Sequence, residues 1–266
     1  MKTKLNLQYY LDSCTVQALG KRLLTIPTTN VYSSIWAQVE LLCAIKDEKT
    51  FNQKRAALKN LADSGIFVVQ TIPCLKLWQA FGFTEIEPRD YKIFREHILP
   101  IVIYANDYTE FCDKIKSPII DKALKSLQEA DNSSSSFGNY ILRNQYAIID
   151  FDSKWHGNHH TLLLESVNYH AERLENRFGI PQSILIKEYD NSIDAFMLVH
   201  YYYVEQKKHM HETPARNDFN DILHLLYLKR GCKLVTDDKD FQDYVNEVFP
   251  GLAIGTIDFL KGIDCL

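Results

Sequence analysis

Asp12, Glu40, Asp218, Asp221, Asp237 and Asp238 are the side chains whose type and placement could do chemistry together. Mg²⁺ and Mn²⁺ are hard cations that prefer oxygen donors, usually a few carboxylates completed by water and substrate phosphate. Two such ions about 4 Å apart can hold the attacking and leaving oxygens of an in-line phosphoryl displacement. Acids gathered from distant parts of the chain would therefore suit phosphodiester hydrolysis. Without a cation they repel one another, so such a site should cost stability in the apo protein and be stabilised by metal.

Each acid also has an ordinary explanation. Asp12 follows an apolar strand and precedes Ser13 and Thr15, as a helix cap would. Glu40 falls at the edge of a helical stripe that carries Trp36 and Cys43, where a carboxylate must reach a cation, a hydrogen bond, a metal or water. Asp218 and Asp221 share one face of a helix start, where the macrodipole favours acids. Asp237 and Asp238 end a buried strand, as turn and cap residues do. Two strand ends bearing Asp, together with two helices bearing inward acids, exceed what capping requires.

The elements that must position these groups are readable from periodicity. Residues 4–11 alternate and then turn apolar, a strand entering a buried sheet. Residues 33–47 and 49–63 read as helices, the second closed by Gly65. Ile66 to Val69 reads as a strand. From about 73 to 210 the pattern is helical, with segments from Pro88 to Ile115, Pro118 to Ala130, 158–178 and 192–208, and a polar loop at 132–136. Asn217 to Arg230 reads as a helix stopped by Gly231. A strand at Lys233 to Thr236, a helix at 239–248 and a strand at Ala253 to Ile257 follow, which is a β/α unit of a parallel sheet.

The bulk composition narrows the class. At 266 residues and 46% hydrophobic, the chain can bury a large core. A net charge of −4 counts against a non-specific nucleic-acid coat protein, though not against an enzyme with a carboxylate site. Local basic clusters, Lys54-Arg55, Lys207-Lys208 and Lys229-Arg230, would have to supply any basic groove. The 6 cysteines form no Cys-x-x-Cys pair, which argues against a thiolate zinc site and for reduced thiols. The N-terminus reads as a strand rather than a secretion signal, and no apolar run is long enough to span a bilayer. A cytoplasmic protein with no membrane association is expected. His156, His159, His160, His209 and His211 read as surface residues, and Tyr201-Tyr202-Tyr203 as mostly core. Asp12-Ser13-Cys14-Thr15 lacks the second acid of a haloacid dehalogenase-like phosphatase motif.

Leu11-Asp12-Ser13, Glu40 within Trp36-Ala37-Gln38-Val39-Glu40-Leu41-Leu42, Asn220-Asp221 opening a helix, and Leu234-Val235-Thr236-Asp237-Asp238-Lys239-Asp240-Phe241 together resemble the PIN domain, a metal-dependent ribonuclease fold. The closing segment matches the family pattern Leu-Val-Thr-any-Asp-any-Asp-Phe. The resemblance covers roughly residues 4–72 and 212–258. It implies an α/β fold, a parallel-sheet core flanked by helices, from about 1–85 and 205–266. Typical members are shorter, so about 86–204 would be a helical insertion in a single PIN-like domain. It further implies Mg²⁺ or Mn²⁺ held by Asp12, Glu40, Asp221 and Asp238, with Thr236 shaping the site, and RNA as substrate. The interval from Asp221 to Gly231 is shorter than the family's, which leaves Asp218 open as the ligand, and Asp237 competes with Asp238. Lys229, Lys233 and Lys239 are candidate phosphate contacts. The activity expected is an endoribonuclease leaving a 5′-phosphate and a 3′-hydroxyl, in a toxin, a defence effector or an RNA-processing enzyme. An inhibitor protein or a second copy of the chain are partners open to it. The alternatives are a DNA-directed nuclease and a non-catalytic PIN-like scaffold that binds another protein.

Overall fold

The computed structural model describes residues 7–84, 87–129, 159–210 and 218–263. The loop expected at 132–136, and His156 and His211, lie outside these residues. Five parallel strands form one sheet in the order β3-β2-β1-β4-β5. β1 (Gln8–Leu11) is central, between β2 (Val31–Ser34) and β4 (Cys232–Val235). β3 (Phe67–Val69) extends the sheet beyond β2, and β5 (Ala253–Ile254) extends it beyond β4. Tyr9, Tyr10 and Leu11 of β1 and Leu234 and Val235 of β4 are all buried, the near-continuous apolar run of a parallel strand covered on both faces.

The chain winds outward from β1 to β2 and β3, then returns to β4 on the other side. Strand order reverses between β1 and β4, and in open α/β sheets ligands bind in the crevice at the carboxyl ends beside such a switch point. Leu11 pairs with Val235, so Asp12 and Thr236 leave the sheet level with each other.

Helices α1 (Ser13–Leu19), α2 (Ile35–Cys43) and α3 (Glu48–Asp63) follow the first two strands. Asp47 and Thr50 form a reciprocal capping box at the start of α3. After β3 come α4 (Pro73–Ala80), α5 (Arg89–Ile93), α6 (Leu99–Tyr104) and α7 (Tyr108–Lys114); the expected 88–115 helix runs on through a π turn at Phe94–Ile98 and is broken after Tyr104, where Ala105 is extended and Asp107 caps α7. A further helix, α8, covers 118–129. Then α9 (His159–Phe178), α10 (Gln182–Glu188) and α11 (Asp194–His209) pack together. The last helices are α12 (Asp218–Leu223), α13 (Lys239–Val248) and α14 (Thr256–Gly262). α11 packs against α12 and α13, and the buried side chains of the middle and of the sheet region form one apolar cluster. Among the described residues, no helix is long and apolar enough to cross a membrane.

Three expectations need correction. The helix expected over 33–47 starts at Ile35, because Val31–Ser34 is a strand of the sheet. The helix expected to run to Arg230 keeps α geometry only to Leu223, then tightens into a 3₁₀ turn, His224–Tyr227. The strand expected over 253–257 stops at Ile254, and a helix begins at Thr256.

Candidate acidic site at the carboxyl edge of the sheet

Asp12 ends β1 and caps α1, its Oδ1 accepting from the Thr15 N–H at 2.8 Å. The capping explanation therefore holds, and the side chain is also buried, at 3% exposure. Burial raises its pKa, while His224 and hydrogen bonds from Thr236, Thr15 and Cys14 act in the opposite direction. The Cys14 thiol lies 3.1 Å from both carboxyl oxygens. Burial first, then the neighbouring Asp12, pushes that thiol's pKa up to about 12, so it stays protonated and donates. Thr15 Oγ1 donates to the Val235 carbonyl at 2.8 Å, which fastens the start of α1 to β4.

Glu40 projects from α2 and finds a cation. Its Oε2 lies 2.7 Å from Nε2 of His224, whose side chain is 1% exposed against 12% for Glu40. On the other side of the imidazole, Nδ1 lies 2.6 Å from the Tyr10 hydroxyl, which is 2.7 Å from Ser34 Oγ. Ser34 in turn caps α2 by accepting from the Ala37 N–H. Burial alone would lower the histidine pKa. Glu40, through charge and hydrogen bond, and then Asp12 and Asp221 outweigh it and raise the value to about 9. His224 is thus an imidazolium at neutral pH, donating to both neighbours, and the Tyr10 proton goes to Ser34. Sequence reasoning missed this residue. The available signal was its position three after Asp221, since residues at that spacing share a helix face.

Asp221 stands half-buried near the first turn of α12. Burial, then Glu40, Asp238 and Asp12 push its pKa up to about 8, and His224 opposes them. Asp238 caps α13 through Oδ1 to the Phe241 N–H at 3.0 Å, and its own N–H donates to Thr236 Oγ1 at 3.1 Å. Thr236 is fully buried and touches three parts of the site, Asp12, Cys14 and Asp238.

The competing acids are engaged elsewhere. Both oxygens of Asp237 accept from Thr256, one from its N–H at 2.8 Å and one from its hydroxyl at 2.6 Å, so Asp237 caps α14. Asp218 accepts from the Tyr203 hydroxyl at 2.5 Å and so faces α11. Of the lysines, Lys239 is exposed in the first turn after Asp238, and Lys233 is half-buried within β4. Lys229 precedes β4, at the amino end of the sheet, with its ammonium 5.1 Å from the Tyr32 ring centre. At about 3.3 Å per residue, the length of β4 puts roughly 13 Å between Lys229 and the acids. Lys54 of α3, which the sequence marks only as part of a basic pair, lies closer: burial lowers its pKa, and the charge of Glu40 pulls it back up. His159 and His160 are exposed at the start of α9, as expected.

No family model, curated protein or solved structure matches this chain.

The donors at this edge are carboxylate oxygens, which suit a hard divalent cation. Among the described residues, no group of three or more His, Cys, Asp or Glu side chains is closed tightly enough to hold a metal ion. The electrostatics give a reason. Asp221 is repelled by three other acids, and Glu40 is drawn onto His224. A cation would relieve the first effect and compete with the second.

Proposed function

We propose that this chain is a metal-dependent nuclease with a PIN-like core, an endoribonuclease that hydrolyses phosphodiester bonds at the carboxyl edge of its sheet. One observation carries the proposal. Asp12, Glu40, Asp221 and Asp238 come from four separate elements at the β1–β4 switch point, and the other three all raise the pKa of Asp221. Packing a fold does not require such mutual repulsion, whereas a cation site does. Asp12, Asp221 and Asp238 would hold Mg²⁺ or Mn²⁺, with Glu40 beside them. Bound there, the ion would lower the pKa of a water and offset charge on the phosphate. Glu40 is oriented by His224, Thr236 orients Asp12, and Lys54 and Lys239 bring positive charge towards the phosphate backbone.

A second reading has its own support. His224 already places a cation among the acids, and an internally neutralised cluster could be retained as structure in a non-catalytic scaffold. Metal response separates the two, because an ion that binds only the folded protein stabilises it by about 2.7 kcal/mol at roughly a hundredfold excess over its Kd. The test is cleavage of end-labelled single-stranded RNA and DNA with Mn²⁺ or Mg²⁺, alongside thermal unfolding, for the wild type, Asp12→Asn and Asp238→Asn. The nuclease should cut RNA, lose activity with chelator and with either substitution, and gain Tm with metal. Preference for DNA would correct the substrate. No cleavage together with no metal-induced stabilisation would leave the scaffold.

A further inference from the structure

An open cavity of about 750 Å³ is bordered by Trp36, Trp78, His170, Arg173, Arg177 and Phe219 among others. This is within the range of small-molecule sites, about 300–1,000 Å³. Its composition is specific. His170, Arg173 and Arg177 recur at helical spacing on α9, so one face of that helix presents an imidazole and two guanidinium groups to a wall of aromatic rings. The Arg177 guanidinium lies 4.7 Å from the Trp78 ring centre, and that of Arg173 lies 4.8 Å from Tyr169. His170 is 5% exposed, and its Nε2 finds no hydrogen-bond partner among the described residues. Burial, with His200 and Arg173 nearby, holds its pKa well below the ordinary value, so the ring is neutral. A buried polar nitrogen without a partner costs free energy unless something else bonds to it.

We propose that this cavity binds a nucleotide unit, with the base against the aromatic wall that holds Trp78 and Phe219, one edge of the base hydrogen-bonded to His170, and the phosphate held by Arg173 and Arg177. Flat aromatic walls suit an unstacked base, which stacking holds whatever its sequence. Guanidinium groups suit phosphate. Neither group has been assigned to the acidic site, yet the two sites share walls: Trp36 is one helical turn before Glu40 on α2, and Phe219 is two residues before Asp221 on α12. Nucleotide binding stands on the cavity itself. Assigning that nucleotide to an RNA strand whose phosphodiester reaches the acids rests on the nuclease proposal.

The test is an equilibrium titration of the full chain in excess chelator, following tryptophan fluorescence as nucleoside monophosphates are added. The matching nucleosides, inorganic phosphate and a short single-stranded oligoribonucleotide serve as comparisons. Monophosphates should quench the fluorescence and saturate, nucleosides should bind more weakly, and phosphate alone should not quench. Arg177 is exposed, so Arg177→Gln should fold. It should weaken monophosphate binding about tenfold or more, through loss of a charge-assisted hydrogen bond, and weaken nucleoside binding by much less. Tighter binding of the oligonucleotide would assign the cavity to a strand, and equal binding to free nucleotides. No saturable quenching by any nucleotide, or quenching that Arg177→Gln does not change, would overturn the proposal. Because chelator removes catalysis from the readout, that failure would leave the nuclease proposal intact, and failure of cleavage would leave this one intact.

Discussion

His224 bears most on what the acidic edge can do, because it carries the positive charge that lets Glu40 lie partly buried beside other acids. His224→Gln keeps a donor for Glu40 and removes the charge. If the histidine orients Glu40 in a working site, cleavage should fall by about 10–100-fold, the usual loss when a group supporting a metal-site residue is changed, and the Tm gain with Mn²⁺ should persist. Unchanged activity would remove His224 from the site. His224→Ala goes further and leaves Glu40 without its partner. Since Glu40 keeps some solvent contact, a cost of about 2–3 kcal/mol in denaturant unfolding is expected, below that of a fully buried pair. Asp12, Asp221 and Asp238 were legible as candidates because each sits at a strand or helix end, a local feature. His224 was not, because its role depends on a partner separated from it by 184 positions and on a tertiary fold that puts the ring between Glu40 and Tyr10.

Among the elements, the sheet's outer strand β3 and the β4–α13 unit were readable from sequence, and β2 was not. Val31-Tyr32-Ser33-Ser34 is fully buried and ends in two serines, so it shows neither alternation nor an apolar run. Its serines are explained only by the assembled sheet: Ser33 Oγ donates to the Leu11 carbonyl at 2.8 Å, and Ser34 caps α2 while it accepts from Tyr10. Ser34→Ala should therefore cost about 1–3 kcal/mol, the loss of a cap and of a buried acceptor together. The adjacent acids after β4 should separate cleanly. Asp237→Ala frees the N–H and hydroxyl of Thr256, so Tm should fall by the equivalent of about 1–2 kcal/mol while the response to Mn²⁺ is kept. Asp238→Asn retains a good cap for α13 and removes a charge from the edge, so stability should hold while the metal response is lost. The opposite pattern in unfolding with and without Mn²⁺ would make Asp237 the ligand. The tightening at His224 has the same lesson as β2. Periodicity carried the helix smoothly towards Gly231, whereas 3₁₀ geometry stacks residues three apart and so places His224 and Tyr227 in line. Tyr227 then stacks on Tyr10 with ring centres 5.8 Å apart.

Across the whole molecule, burial of titrating groups sets how stability depends on pH. His170 and His200 are buried neutral, His200 with its pKa lowered to about 4 by burial and then by Arg173. Their folded values lie below the unfolded value of about 6.5, so the unfolded chain binds more protons and stability rises with pH up to that point. Asp221 works against them. Its folded value, about 8, exceeds the ordinary 3.8, so the folded protein holds the extra proton and stability falls as pH rises between those values. His224 is raised from 6.5 to about 9, and its contribution is complete below 6.5 and lost as pH climbs through 9. Above pH 6.5 the two buried neutral histidines no longer contribute a slope, and Asp221 and His224 both pull downward. The Tm should therefore be highest near pH 6.5 and decline towards pH 9 in chelator. Asp221→Asn should flatten that decline, because it removes the buried charge that forms there. Saturating Mn²⁺ should flatten it in the wild type as well, since a bound cation favours the deprotonated carboxylate, and not in Asp221→Asn. A wild-type Tm that keeps rising from pH 6.5 to 9 would mean that Asp221 and Glu40 are not crowded together in the folded protein, and it would remove the electrostatic support for a cation site at this edge.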